Sequence, residues 1–155
     1  MATMPTKVAM SCGRRTLRKM IISGTVETPR TRAIRLYMLV EAASFGVAAL
    51  VHSGALVGGY EHEKARIAEG VIAIVLLAGF ASTWIRPGQT HRVGLAAQGF
   101  ALLGTLVGVF TILVGVGPRT VPDVAYHLGI IGVLASGVRH AARGHVEAAH
   151  RRVGG

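Results

Sequence analysis

The chain has 155 residues, enough for one domain, and its composition is that of a membrane protein. Hydrophobic residues make up 51% of the chain and charged residues 15%, against about 25% charged residues in a typical soluble domain. Aromatic residues account for 5%, and there are 21 glycines. This mixture packs poorly in a soluble core but lets transmembrane helices approach closely. The formal net charge is +10, but the basic residues flank apolar stretches, which indicates anionic lipid and argues against nucleic acid as a partner.

Residues 1–31 predict a basic, disordered tail on the cytoplasmic side of the membrane. The tail contains no continuous apolar stretch of signal-peptide length. Cys12 is the only cysteine of the chain, so neither an intrachain disulfide nor a two-cysteine redox or zinc motif can form. The sequence also lacks a catalytic, nucleotide-binding or metal-binding motif of useful specificity, which favours a non-enzymatic role.

Four apolar stretches follow the tail, each near the length of about 20 residues that a helix needs to cross a bilayer. They cover residues 34–57, 67–85, 93–116 and 124–142. They are too long and too continuous for buried strands, and in lipid a helix pairs all of its backbone polar groups internally. The sequence therefore predicts an all-α fold: an up-and-down, four-helix transmembrane bundle over residues 32–143, followed by a basic C-terminal tail at residues 144–155.

The distribution of lysine and arginine predicts the orientation of the bundle. Fourteen of the 17 basic residues lie in the N-terminal tail, the second connection and the C-terminal segment, and only Lys64, Arg66 and Arg119 lie on the opposite side. Because basic residues concentrate on the cytoplasmic side, we expect both termini in the cytoplasm. The protein is thus predicted to be a multi-pass protein of the inner membrane. The basic C-terminal segment is expected to touch anionic lipid.

A shift of 57 residues aligns the first stretch with the third and the second with the fourth. Arg35 then meets Arg92, and Glu41 meets Gln98. One interpretation is a duplicated helical hairpin with an approximate two-fold axis normal to the membrane. The alternative is a chance alignment of helices of similar composition.

Glu41 and Gln98 are the first candidate site, a polar pair within the membrane. Glu41 lies about seven residues into the first stretch, which is about 10 Å at the helical rise of 1.5 Å per residue. A carboxyl group at this depth is costly unless it faces protein or water. Glu41 therefore predicts either a proton or cation site used in transport, or a structural hydrogen bond between protonated Glu41 and Gln98.

His52, Glu69 and His127 form the second candidate site, a polar cluster in the outer leaflet. The first and last helices of an up-and-down bundle are neighbours, so the two imidazoles can face each other. Two facing histidines are suited to bind haem b or copper. The alternatives are a polar pocket without a metal, and two separate histidines that reach water near the interface.

Two segments resemble stretches of small, uncharacterised four-span bacterial membrane proteins: residues 95–105, LAAQGFALLGT, and residues 115–120, GVGPRT. The resemblance covers residues 34–142 and implies a four-helix fold in a bacterial inner membrane. It implies no activity and assigns no functional residue.

Three functional classes remain open from the sequence. The first is a binding or accessory subunit of a membrane assembly, which fits the absence of catalytic motifs. The second is a transporter that uses Glu41 and Gln98 and forms its pathway as a homo-oligomer. The third is a redox module with haem or copper at His52 and His127.

Overall fold

The computed structural model describes the backbone of residues 27–153 and the side chains of residues 27–143. Its helices are α1 (Pro29–His52), α2 (Glu63–Ile85), α3 (Thr90–Leu113) and α4 (Val121–Val153), with a short 3₁₀ turn at Pro87–Gln89 before α3. Within these bounds no strand is present, and each of the four helices is long and apolar enough to cross a membrane. The predicted all-α, four-helix fold is confirmed, and the protein is a multi-pass membrane protein.

The helices run up and down around a small-residue core. Sequential helices contact one another, α4 also contacts α1, and α1 touches α3 across the diagonal. Two glycines allow this close packing: a Cβ atom at Gly79 would lie 2.8 Å from the Cβ of Ala97, and one at Gly94 would lie 2.6 Å from Cγ2 of Ile34. The outward faces carry many exposed apolar side chains. Such faces suit lipid rather than water.

We call the end of the bundle formed by the α1–α2 and α3–α4 connections the distal end, and the opposite end the proximal end. At the proximal end, the side chain of Thr28 accepts a hydrogen bond from the backbone N–H of Thr31 over 3.2 Å and so caps α1. Residues 1–26, which make up most of the predicted N-terminal tail, lie outside the described residues.

Two helices end earlier at the distal end than the hydropathy of the sequence predicts. Helix α1 stops at His52 instead of Val57, because Gly54 has a φ of +77° that ends the helix. Helix α3 stops at Leu113 instead of Val116, and Gly115 has a φ of +85°. The guanidinium of Arg119 donates to the carbonyls of Ile112 and Leu113, each over 2.9 Å, and satisfies the exposed end of α3.

Helix α4 does not end with its apolar stretch at residue 142. It continues to Val153, whereas its membrane-spanning part ends at Arg143. The backbone of residues 144–153, which belong to the predicted basic C-terminal tail, is therefore a continuation of α4.

Candidate functional site

A buried cluster of three ionisable side chains lies at the distal end, with His52 between two carboxyl groups. Nδ1 of His52 is 2.7 Å from Oε2 of Glu69, and its Nε2 is 3.2 Å from Oδ1 of Asp123. The exposed fractions are 4% for His52, 6% for Glu69 and 7% for Asp123. This His52 cluster joins the end of α1 to the starts of α2 and α4.

The sequence around the start of α4 positions the carboxyl group of Asp123. Thr120 and Asp123 form a capping box: the backbone N–H of Thr120 donates to Oδ2 of Asp123 over 3.3 Å, and the backbone N–H of Asp123 donates to the Thr120 hydroxyl over 3.4 Å. The Thr120 hydroxyl also contacts Oδ2 directly. Because Oδ2 is fixed by the cap, Oδ1 remains available for His52.

The α1–α2 connection closes over the same end of the bundle. The backbone N–H of His62 donates to the carbonyl of His52 over 2.9 Å, and Nδ1 of His62 accepts from the backbone N–H of Ala65 over 3.2 Å, which caps α2. Exposed Glu61 stabilises the turn: hydrogen bonds from its own backbone N–H and from that of Gly59 lower the pKa of its carboxyl group. The connection thus holds the end of α1 against the start of α2.

A cavity of about 260 Å³ lies beside the His52 cluster, between α2, α3 and the start of α4. Glu69 and His127 line it, and Phe45, Ile72 and Ile112 contribute apolar walls. His62 and Lys64, from the start of α2, also line this distal cavity. A mostly apolar cleft with a few convergent polar groups is the usual form of a small-molecule site.

A second cavity of about 350 Å³ lies between α1 and α4, on the other side of the His52 cluster. His52 and Asp123 line it together with Tyr126, whose buried hydroxyl group has no hydrogen-bond partner among the described residues. The ring of Tyr126 packs edge-on against Phe45, with ring centroids 6.2 Å apart. The His52 cluster therefore separates two cavities of the distal half.

The predicted His52–His127 pair takes a form that does not favour haem or copper. Both histidines converge on Asp123: His52 binds its carboxyl group, and Nδ1 of His127 lies 2.7 Å from its backbone carbonyl. Both ring nitrogens of His52 are engaged by carboxylates, so His52 offers no free nitrogen to a metal ion. Over residues 27–143, no group of three or more His, Cys, Asp and Glu side chains is arranged to hold a metal ion.

Glu41 and Gln98 meet in the centre of the bundle, as their matching depths predict. Nε2 of Gln98 donates to Oε1 of Glu41 over 3.3 Å, and both side chains are 0% exposed. Gly137 of α4 provides the space, since a Cβ atom there would lie 2.7 Å from Oε1 of Glu41. Neither side chain lines either of the two distal cavities.

The leftover atoms of this pair indicate a protonated Glu41. Oε2 of Glu41 and Oε1 of Gln98 are buried and have no hydrogen-bond partner among the described residues. A proton on Oε2 would let Glu41 donate to Oε1 of Gln98, so that both of these oxygens would have a partner. The two residues are also the ones that the 57-residue shift superposes.

A third polar cluster at the proximal end surrounds the buried guanidinium of Arg35. The guanidinium donates to the hydroxyl of Thr83 over 3.0 Å, to the carbonyl of Thr83 over 2.7 Å and to Oε1 of Glu27 over 2.7 Å. It also lies 3.9 Å from the centroid of the Trp84 ring. Arg35 therefore ties the start of α1 to the end of α2.

Sequence reasoning does not identify Asp123 as a member of the site, although its carboxyl group contacts His52. The signal is present in the sequence Thr120-Val121-Pro122-Asp123, the pattern of a capping box at the start of an apolar helix.

Comparison with protein-family models, with curated proteins and with solved structures finds no match to this chain.

Proposed function

We propose that this protein binds a small, largely apolar molecule in the distal cavity, and that it belongs to the class of membrane binding proteins rather than enzymes. The observation that carries the proposal is the cavity of about 260 Å³, whose apolar walls enclose Glu69 and His127. Its volume is slightly below the range of about 300–1,000 Å³ that is usual for ligand pockets, so the ligand is small.

We further propose that the distal end faces outward from a bacterial inner membrane. Fourteen of the 17 basic residues belong to the two terminal segments and the α2–α3 connection, whose described parts lead to the proximal end, and this supports a cytoplasmic location of that end. In this orientation the ligand reaches the cavity from the outer leaflet or from the outer aqueous phase. A homo-oligomer or a larger membrane assembly would be the natural setting for a binding subunit of this size.

The location of Glu41 makes transport through the centre of the bundle a weaker proposal. Glu41 and Gln98 are fully buried, paired with each other and packed against Gly137. A transport pathway needs its coupling residue to reach a cavity or water. The distal cavity meets this requirement through Glu69, so ligand binding there is the function with the best support.

The proposal predicts saturable binding of a small aromatic alcohol. Phenethyl alcohol is titrated against the protein in nanodiscs, with empty nanodiscs correcting for partition into lipid, and equilibrium dialysis measures the bound fraction. Ala68 lines the cavity, so Ala68→Phe fills part of it and is expected to weaken binding about tenfold, which corresponds to about 1.4 kcal/mol.

Ala81→Phe is the matched control, because Ala81 is exposed near the other end of the same helix. It should bind phenethyl alcohol as the unchanged protein does. Uptake that never saturates and equals that of empty nanodiscs would refute the proposed function.

A further inference from the structure

With one proton in each of its two histidine–carboxylate contacts, the His52 cluster carries one negative charge. Each of its two contacts, at 2.7 Å and 3.2 Å, needs one proton between the nitrogen and the carboxylate oxygen. Without these protons, the two carboxylates and the bare imidazole ring would have a charge of −3. Two shared protons reduce it to −1, whether His52 is an imidazolium ion or one carboxyl group is protonated.

No lysine or arginine side chain forms an ion pair with Glu69 or Asp123 within the described part of the chain. The only partners that Glu69 and Asp123 have within 4.0 Å for an ion pair are the two nitrogens of His52. Lys64 lines the cavity but is exposed, and Arg119 is bound to the end of α3. A buried, unbalanced charge is costly next to lipid, so the site is suited to a cation from outside.

Glu69, Thr105 and Thr111 present acceptors to the cavity, whereas half-buried His62 and exposed Lys64 line it with donors. Oε1 of Glu69 receives no hydrogen bond from a side chain or backbone group of residues 27–143. Glu69 is 6% exposed and lines the cavity. Thr105 and Thr111 donate their hydroxyl protons to backbone carbonyls of their own helix, each over 2.7 Å, and keep free lone pairs.

His127 adds a further acceptor. Its Nδ1 must carry the proton, because the carbonyl of Asp123 at 2.7 Å can only accept. In the neutral ring, Nε2 is then an acceptor, and it lies beside Gly108, where a Cβ atom would be 3.2 Å away. Any larger residue at that position would crowd this nitrogen.

From the negative charge of the His52 cluster and the free Oε1 of Glu69 we infer that the ligand is a small organic ammonium ion, with its cationic group at Oε1 of Glu69 and its apolar body against Phe45, Ile72 and Ile112. This inference rests on the proposed function and names its ligand class. An inorganic cation would need about six oxygen ligands, whereas these walls are apolar. A hydrogen bond between an ammonium group and a carboxylate is worth about 1.5–3 kcal/mol, which corresponds to about a 10- to 100-fold gain in affinity.

The test compares three probes with the same aromatic body in nanodiscs: phenethylammonium, phenethyl alcohol and phenylacetate. The unchanged protein is expected to bind phenethylammonium about 10- to 100-fold more tightly than the alcohol, and phenylacetate more weakly than both. Glu69→Gln keeps a hydrogen-bond partner for His52 but removes the charge, so the ratio of ammonium to alcohol affinity should fall to about one. Glu63→Gln, an exposed carboxyl group on the same helix, is the matched control and should keep the ratio of the unchanged protein.

Each outcome decides between the two proposals. Equal binding of ammonium and alcohol, or binding of phenylacetate as tight as that of the ammonium ion, would overturn the cationic ligand and leave the binding function standing. Failure of all three probes to bind would overturn both. The comparison of the probes in the unchanged protein remains decisive even if Glu69→Gln fails to fold.

Discussion

Replacing His52 with leucine is expected to lower the free energy of unfolding by about 3–5 kcal/mol, the cost of breaking a buried ion pair on one side only. Glu69 and Asp123 would then lie buried without the imidazole that now separates them at 2.7 Å and 3.2 Å. Reversible unfolding in mixed micelles, with increasing denaturing detergent, measures this difference.

Two further variants isolate the cause of this loss. His62→Asn changes a neighbouring histidine, at a ring distance of 6.4 Å from His52, but keeps an acceptor that can cap α2. It should cost less than about 1 kcal/mol. Adding Glu69→Gln and Asp123→Asn to His52→Leu removes both stranded charges and should recover much of the lost stability. A loss below about 1 kcal/mol for His52→Leu alone would contradict the role of the His52 cluster as the joint between α1, α2 and α4.

The second large effect is expected at the proximal end. Arg35→Leu should lower the free energy of unfolding by about 2–4 kcal/mol, because it removes charge-assisted hydrogen bonds and the stacking on Trp84. The affected bonds join Arg35 to Glu27 and to the hydroxyl and carbonyl of Thr83. The same detergent titration measures the change.

Arg32→Leu is the matched control for Arg35→Leu, because both arginines pair with Glu27. The side chain of Arg32 is 77% exposed and lies 3.9 Å from Glu27, whereas that of Arg35 is 8% exposed and lies 2.7 Å away. An exposed ion pair contributes about 0–1 kcal/mol, so Arg32→Leu should have little effect. Equal losses in the two variants would show that burial of Arg35 does not matter.

The sequence predicts the four helices and their order because apolar length is a direct requirement of the bilayer. It predicts the ends of α1 and α3 poorly, because the apolar residues continue beyond Gly54 and Gly115 while the backbone turns there. Hydropathy indicates which residues can contact lipid, whereas the end of each of these helices is set by a glycine with a positive φ.

The central and distal sites differ in how far the sequence can predict them. The Glu41–Gln98 pair follows from the equal depth of the two residues on α1 and α3, which run in the same direction through the bundle. The His52 cluster depends on helix rotation, which the sequence does not specify, and the structure pairs His52 with two carboxyl groups instead of with His127. The sequence also does not predict that Arg35 is buried. The count of lysines and arginines on each side of the membrane does not distinguish a buried arginine from an exposed one.

Cysteine protection at the distal cavity tests the central claim, that this cavity holds a ligand. In a Cys12→Ser background, Thr111→Cys places a thiol in the cavity wall, and Ser82→Cys places one near the opposite end of α2. Phenethyl alcohol at a saturating concentration is predicted to slow the reaction of the Thr111→Cys thiol with a membrane-permeant maleimide several-fold and to leave the Ser82→Cys thiol unaffected. Equal labelling rates at position 111 with and without the alcohol would contradict the account.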